Sequence, residues 1–256
     1  SNKIKLSNIP LVKDIFTMVE LLKFIGIKTR INNKKRSIEL KNNNTNINTL
    51  APYKLVKTMR AGVLVLGPLL TKYKRAKVSL PGGCAIGTRP VDLHLFVLKK
   101  LGAKIKIKDG YIIAEAKNGL FGSNIKFPSI SVGATENAIL AAFKAQGKTI
   151  LNNCAIEPEI KDLIFFLKKL GGNIKISGRK IIIYGTSKIK KQVEHKVIFD
   201  RIEAATYFVA GALIGKKIKI TKIRTKVLKN EIKLLKNMGV KITVKKDTVY
   251  IYKSKK

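Results

Sequence analysis

Residues Val78 to Leu95 read VSLPGGCAIGTRPVDLHL: a short apolar run, a glycine-rich loop carrying Cys84, then Arg89 and the start of a helix. A thiol following Pro81-Gly82-Gly83 at a strand end is more exposed than the usual free cysteine, which is buried and inert. Two readings of Cys84 stay open, a functional thiol and a packed one. Within the first, both a proton donor and a nucleophile remain. An unperturbed thiol, with a pKa of about 8.5, is mostly protonated at neutral pH, and nearby guanidiniums would favour the thiolate. Arg89 precedes Pro90 at a loop-to-helix junction, where unpaired backbone amides and the helix dipole favour anions.

Outward from this stretch the chain repeats itself. A leucine-rich amphipathic segment that ends in a hydrophobic residue and a glycine occurs four times: Leu21 to Gly26, Val97 to Gly102, Phe166 to Gly171 and Leu234 to Gly239. The glycines stand 76, 69 and 68 residues apart, each where a helix C-cap needs positive φ. Alternating strands follow at Lys104 to Ile107, Asn173 to Ile176 and Lys241 to Val244. Between the copies lie helices richer in small residues, Pro52 to Leu70, Ser131 to Gln146 and Asp200 to Ile214, which are expected to be interior.

The unit therefore reads strand, amphipathic helix, two strands, buried helix, strand, which is an α/β (α+β) repeat of about 70 residues. Lys3 to Leu6 already alternates like a strand, with no leader or initiating methionine, so the chain is expected to begin inside a domain. The expected division is a first domain at 1–199, its first unit incomplete at the N-terminus, and the first unit of a second, truncated domain at 200–256. Asn42 to Asn48 reads as a polar loop.

Composition narrows the class. With 256 residues and 45% apolar content the chain can bury a core. The net charge of +38 would suit a polyanion partner, but it comes from 45 lysines and only 8 arginines, spread along a chain with no tryptophan. Nucleic-acid readers lean on arginine and stacking aromatics, and little aromatic-basic interleaving is visible, so no nucleic-acid partner is expected. An anionic small substrate fits either view. Two cysteines in dissimilar contexts, no Cys-x-x-Cys and two histidines argue against a metal site and for reduced thiols in the cytoplasm. No apolar run approaches the roughly 18 residues of a membrane span.

Arg60 interrupts the helix expected at Pro52 to Leu70, where an unpaired guanidinium would be costly, so it must find an acid or an anionic ligand. With Arg89 it makes a site for a carboxylate or phosphate, ordinary ion pairs being the other reading. Asp92 reads as an N-terminal cap and His94 as a packed or exposed histidine. Residues two apart on a helix do not face each other, so no catalytic pairing follows. Ser129 to Thr135 leads from a loop into a helix, where amides and hydroxyls can hold a diphosphate or Ser131 can simply cap. Asp200 and Glu203 fit a capping box. Glu157, Glu159 and Asp162 read as helix caps or lysine partners, and Cys154 as structural.

Val78 to Leu95 resembles the UDP-N-acetylglucosamine 1-carboxyvinyltransferase family, as do Ala51 to Ala61, Leu66 to Leu69, Ser131 to Asn137, Glu157 to Ile160 and Asp200 to Ala204. The resemblance covers essentially the whole chain in one register. It implies the two-domain enolpyruvyl transferase fold, an inside-out α/β barrel of βαβαββ units, with the active site between the domains. The implied reaction moves enolpyruvyl from phosphoenolpyruvate to the 3-hydroxyl of UDP-N-acetylglucosamine and releases phosphate, the first committed step of peptidoglycan synthesis. The residue matching Cys84 is then the catalytic proton donor to the methylene carbon and the thiol alkylated by fosfomycin, on a mobile lid from Pro81 to Gly87.

By the same carry-over, Arg60, Arg89 and Cys84 bind phosphoenolpyruvate. Arg60, Arg89, Pro90, Val91, Asp92, Leu93, His94, Ser129, Ile130, Ser131, Val132, Gly133 and Asp200 hold the nucleotide sugar. The resemblance implies no metal or organic cofactor, two small-molecule substrates as partners, and a monomer in the cytoplasm. Departures accompany the match. Ser129 stands where many relatives carry lysine. A substrate-binding Lys-Asn pair would precede Ser1, and an aspartate that deprotonates the sugar hydroxyl and a further arginine would follow Lys256. The 256-residue chain is accordingly expected to show no turnover. A shikimate-pathway enolpyruvyl transferase is the alternative enzyme, but that family lacks the Pro-Gly-Gly-Cys loop. A truncated inactive remnant with a basic polyanion-binding surface is the alternative class, and the dispersal of arginine and aromatics argues against it.

Overall fold

The computed structural model describes residues 3–42, 47–82 and 90–253. Cys84, Arg89 and most of the Pro81 to Gly87 lid lie outside the described residues. The chain divides into two compact units, Ser1–Val197 and Ile198–Lys256.

The first unit opens with β1 (Lys3–Ser7), α1 (Lys13–Ile25), β2 (Lys28–Asn32) and β3 (Ser37–Lys41). It continues through β4 (Leu50–Ala51), α2 (Tyr53–Val56), a 3-10 turn at Arg60–Val65, α3 (Leu66–Tyr73) and β5 (Arg75–Ser79). Then come α4 (Asp92–Lys100), β6 (Lys104–Lys108), β7 (Tyr111–Glu115), β8 (Asn124–Lys126), α5 (Val132–Ala142) and β9 (Lys148–Asn152). The last stretch is α6 (Pro158–Lys169), β10 (Asn173–Ser177), β11 (Lys180–Tyr184) and β12 (Gln192–Lys196).

These strands form three four-stranded sheets, ordered β12-β1-β3-β2, β4-β5-β7-β6 and β10-β11-β9-β8. Each contains an antiparallel hairpin directly after an amphipathic helix, and each is completed by one parallel pair: β1 with β12, β4 with β5, β8 with β9. The helix-to-hairpin corner is where the repeated glycine sits. Gly26, Gly102, Gly171 and Gly239 have φ of 109°, 98°, 105° and 85°, the left-handed region that a side chain would resist, so the punctuation read from the sequence is observed at all four corners.

Helix α5 runs through the core of the first unit. Ala134, Ala138, Ile139, Ala141 and Ala142 are buried on it, and small side chains let neighbouring helices approach. One close approach is at Gly67 of α3, where a Cβ would overlap Asn137 Oδ1 and lie 3.3 Å from Ala141 Cβ. The segment Pro52 to Leu70 is not one helix. It breaks into α2, the 3-10 turn and α3, and Pro68 falls in the first turn of α3, where its missing N–H costs nothing. Gly62 lets the turn fold back on α2, its missing Cβ site lying 3.1 Å from Val56 Cγ1.

The second unit holds α7 (Arg201–Leu213), β13 (Lys217–Ile220), a 3-10 turn at Thr225–Leu228, α8 (Lys229–Asn237), β14 (Ile242–Lys245) and β15 (Thr248–Tyr252). Its antiparallel sheet β13-β15-β14 packs Val249 and Ile251 against Ala204, Phe208 and Ala212 of α7. The expectation of an interior helix holds for one face of α7 only, since Ile202, Tyr207, Val209 and Leu213 are exposed.

Basic-aromatic contacts invisible as linear interleaving also appear. Lys77 lies over Tyr111, Lys148 over Tyr184 and Lys217 over Tyr252, with ammonium-to-ring distances of 4.8, 5.9 and 5.5 Å. The partners stand on neighbouring strands, so the linear sequence separates them.

Candidate active site

Ser131 caps α5: its Oγ accepts the Ala134 N–H at 3.3 Å from an extended backbone. Thr135 Oγ1 donates to the Ser131 carbonyl at 2.7 Å and accepts the Ala155 N–H at 3.1 Å, pinning this helix start to the chain after β9. The first-turn amides of Val132 and Gly133 have no partner within the helix, so their donors and the helix dipole are available to an anion.

They open on a cavity of about 570 Å³ walled by Asp14, Arg60, Ala61, Val63, Leu64, His94, Ile130 to Gly133 and Glu136. Arg60, from the 3-10 turn, has no carboxylate within ion-pair distance among the described residues. The sequence expectation that burial obliges Arg60 to find a partner is corrected, because the break in the helix leaves it exposed at the cavity edge.

His94 enters from the first turn of α4 and is 3% exposed. Burial first, then the Arg60 charge, hold its pKa down at about 4, with Asp92 pulling weakly the other way. Its Nδ1 lies 3.1 Å from Asn137 Nδ2. Asn137 is fully buried, its Oδ1 accepting the Gly67 N–H at 2.9 Å and its amide donating to the Val63 carbonyl at 3.3 Å. Gly133 makes room for the ring: a Cβ there would lie 3.2 Å from His94 Cε1.

A histidine pKa depressed on folding stabilises the protein above the unfolded value of about 6.5, and that stability is lost as pH falls through about 4. The shift is equivalent to about 3 kcal/mol. Denaturant unfolding at pH 7 and pH 4 should therefore show a steeper acid loss for the wild type than for His94→Gln. Equal losses would contradict the burial of a neutral ring.

Glu136 carries the opposite perturbation. Burial, then Glu159 and Glu157, raise its pKa to about 7, so the cavity holds a carboxyl that is half protonated near neutrality. Its stabilising contribution is complete below about 4.5 and fades as pH rises through about 7.

Of the sequence-derived site residues, the cavity gathers Arg60, His94, Ile130, Ser131, Val132 and Gly133. Pro90, Val91, Asp92, Leu93 and Ser129 do not line it, although Asp92 acts on His94 through its charge. Asp92 is not the cap expected of it, since Val91 holds that position and α4 has no side-chain cap. Asp200 belongs to the second unit, where Oδ1 accepts the Ile202 and Glu203 N–H groups at 2.9 and 3.0 Å and caps α7.

Asp162 pairs with His195 Nε2 at 3.1 Å, and Glu157 stands at the cap position of α6 without a side-chain cap bond. Cys154 is buried, and burial pushes its thiol up to about 12, which fits an inert structural residue. Asp14, Glu136 and Asn137 are cavity or support residues that the residue-by-residue reading did not single out. The available signal for the last two was a pair of polar residues inside an alanine-rich helix. Among the described residues no group of three or more metal-ligating side chains occurs, and no helix is long and apolar enough to cross a membrane.

Residues 1–256 match the family described as EPSP synthase (3-phosphoshikimate 1-carboxyvinyltransferase). A protein from Pelagibacter ubique named UDP-N-acetylglucosamine 1-carboxyvinyltransferase is 55% identical over 100% of this chain and 61% of its own length. A Rickettsia prowazekii protein of the same name is 46% identical with the same coverage. The chain thus spans about three-fifths of the length of these curated relatives.

Among solved structures, the enolpyruvyl transferase NikO from Streptomyces tendae superposes with a TM-score of 0.88 at 21% identity, over 100% of this chain and 61% of that one. An EPSP synthase from Acinetobacter baumannii gives 0.73 at 18% identity, over 99% and 60%. Superposition with these structures over the length of the chain, and a family match running from residue 1 to residue 256, make this chain a member of the EPSP synthase family with the enolpyruvyl transferase fold.

Proposed function

We propose that the protein transfers enolpyruvyl from phosphoenolpyruvate to the 3-hydroxyl of UDP-N-acetylglucosamine and releases phosphate. The observation that carries this reading is the cavity at the start of α5, where Arg60, His94 and the free amides of Val132 and Gly133 converge. Guanidinium and helix-start donors suit a diphosphate, and the adjoining apolar wall of Ile130, Val63 and Leu64 suits the body of a nucleotide sugar. The names of relatives at 46–55% identity favour this acceptor sugar over the 3-phosphoshikimate of the family description.

On this reading Cys84 delivers a proton to the methylene carbon of phosphoenolpyruvate while the sugar 3-hydroxyl gives up its proton to a base, the aspartate expected beyond Lys256, and bonds through its oxygen to C2, giving a tetrahedral intermediate. Loss of phosphate and of a methyl proton restores the enol ether. Arg60 and Arg89 hold the phosphate and carboxylate, where negative charge gathers as the intermediate forms. His94 and Ile130 to Gly133 bind the nucleotide sugar at the cavity, and the family resemblance adds Pro90 to Leu93, Ser129 and Asp200 as further contacts to it. The protein would then be a monomeric cytoplasmic enzyme of peptidoglycan synthesis, serving cell shape and division, with no cofactor.

Fosfomycin tests the thiol assignment. With UDP-N-acetylglucosamine present, intact-mass and peptide mapping of the protein expressed from its full reading frame should place one fosfomycin mass on Cys84. Cys154, with its thiol raised to about 12, should stay unmodified. An adduct on Cys154 alone, or on neither cysteine, would overturn the assignment.

A further inference from the structure

The structure assigns to Asn137 a positioning role in the nucleotide-sugar site: its amide fixes His94 as the neutral ring with its proton on Nε2, a donor at the cavity wall. This rests on the nucleotide-sugar reading above. The orientation of Asn137 is decided by two backbone groups. The Gly67 N–H can only donate, so the atom 2.9 Å from it is Oδ1. The Val63 carbonyl can only accept, so the atom 3.3 Å from it is Nδ2. That same NH2 stands 3.1 Å from His94 Nδ1 and can only donate to it. Nδ1 must therefore carry a lone pair, and the proton of the neutral ring resides on Nε2.

Protonating Nδ1 would set two donors against each other. Burial and the Arg60 charge oppose it as well, Asp92 being the one group that favours it. The Cε1–Nε2 edge faces Gly133, itself part of the cavity wall, and among the described residues no acceptor engages Nε2. The ring thus offers a donor whose proton does not depend on pH between about 5 and 8, suited to a phosphate or hydroxyl oxygen of the nucleotide sugar. Arg60 supplies charge at the same wall, and His94 supplies a directed neutral hydrogen bond.

Nitrogen-15 NMR of the histidine rings in the 256-residue chain tests this without ligand. The expected spectrum has Nδ1 unprotonated and Nε2 protonated from pH 8 to about 5, and a protonated Nδ1 at neutral pH would overturn the assignment. Asn137→Asp replaces the donor with a carboxylate that accepts from Nδ1–H. It should shift the ring towards the Nδ1-protonated or charged form and raise its titration midpoint by about two units. An Asp variant with tautomer and midpoint unchanged would overturn the role of Asn137, because a purely structural asparagine alters melting without moving the ring signals. Should that variant fail to fold, the wild-type spectrum still decides. Titration of the protein expressed from its full reading frame with UDP-N-acetylglucosamine separates the two readings. A locked ring whose Nε2–H signal ignores the nucleotide sugar leaves the hold of Asn137 on the ring standing and overturns the nucleotide-sugar reading.

Discussion

Gly67→Ala should destabilise the protein by about 3 kcal/mol, in the upper range for an overpacked core. The added methyl would overlap Asn137 Oδ1 and come within 2.9 Å of the Asn137 carbonyl oxygen, both on the fully buried face of α5. The carbonyl oxygen is backbone, and Oδ1, although a side-chain end, is held by the Gly67 N–H while its amide nitrogen is held by the Val63 carbonyl. Relief requires α3 and α5 to move apart, which lengthens the Gly67 N–H to Asn137 Oδ1 bond and loosens the contact at Ala141. A buried donor and acceptor left unsatisfied add to the steric term. For a domain of this size the melting temperature should fall by roughly 6–12 °C in calorimetry. A change under about 2 °C would mean that the helices are not held at this distance. Because the same shift drags on the Asn137 amide, the His94 ring signals should move as well.

Arg60→Ala should leave stability nearly unchanged and weaken UDP-N-acetylglucosamine binding by roughly 10- to 100-fold. Arg60 is exposed and makes no ion pair among the described residues, so its removal breaks no ion pair of the fold. A hydrogen bond to a charged group is worth about 1.5–3 kcal/mol, and each 1.4 kcal/mol is tenfold in affinity. Arg60→Lys should recover only part of the loss, because an ammonium cannot match the planar fork of a guanidinium on phosphate or carboxylate oxygens. Removing the arginine also lifts one of the two causes that depress the His94 pKa, so the ring should titrate at a higher pH in the Ala variant. Calorimetric affinities equal to wild type would take Arg60 out of the site.

The repeat was legible because each copy carries its whole signal locally. A leucine stripe at helical spacing, a glycine at the corner and an alternating hairpin fall within about two dozen residues, and the positive φ of Gly26, Gly102, Gly171 and Gly239 follows from that text. The break between Val56 and Leu66 was not legible. Val56, Met59, Val63 and Leu66 keep helical spacing and are all buried, yet the chain makes a short helix, a 3-10 turn and a second helix. Periodicity reports which residues face the core, not whether the hydrogen-bond ladder between them is continuous. The misjudged burial of Arg60 descends from that one error.

The candidate site was half legible for a related reason. Ser131 as a cap is a local matter, and the helix start it marks forms one wall of the cavity. Asn137 acquires its meaning from partners 43 and 70 residues away, and Glu136 from carboxylates on the next helix. The Lys77–Tyr111 and Lys148–Tyr184 pairs were hidden in the same way, each side chain reading as an isolated surface residue until strand pairing set them together.

The central claim is that the cavity at the start of α5 holds the nucleotide sugar, and backbone NMR of the labelled protein, expressed from its full reading frame and titrated with UDP-N-acetylglucosamine, tests it most directly. The predicted result is a saturable set of shifts at Arg60, His94 and Ser131 to Gly133, largest at the Val132 and Gly133 amides. Shifts absent there, or concentrated on the lysine-covered tyrosines of the sheets, would contradict it.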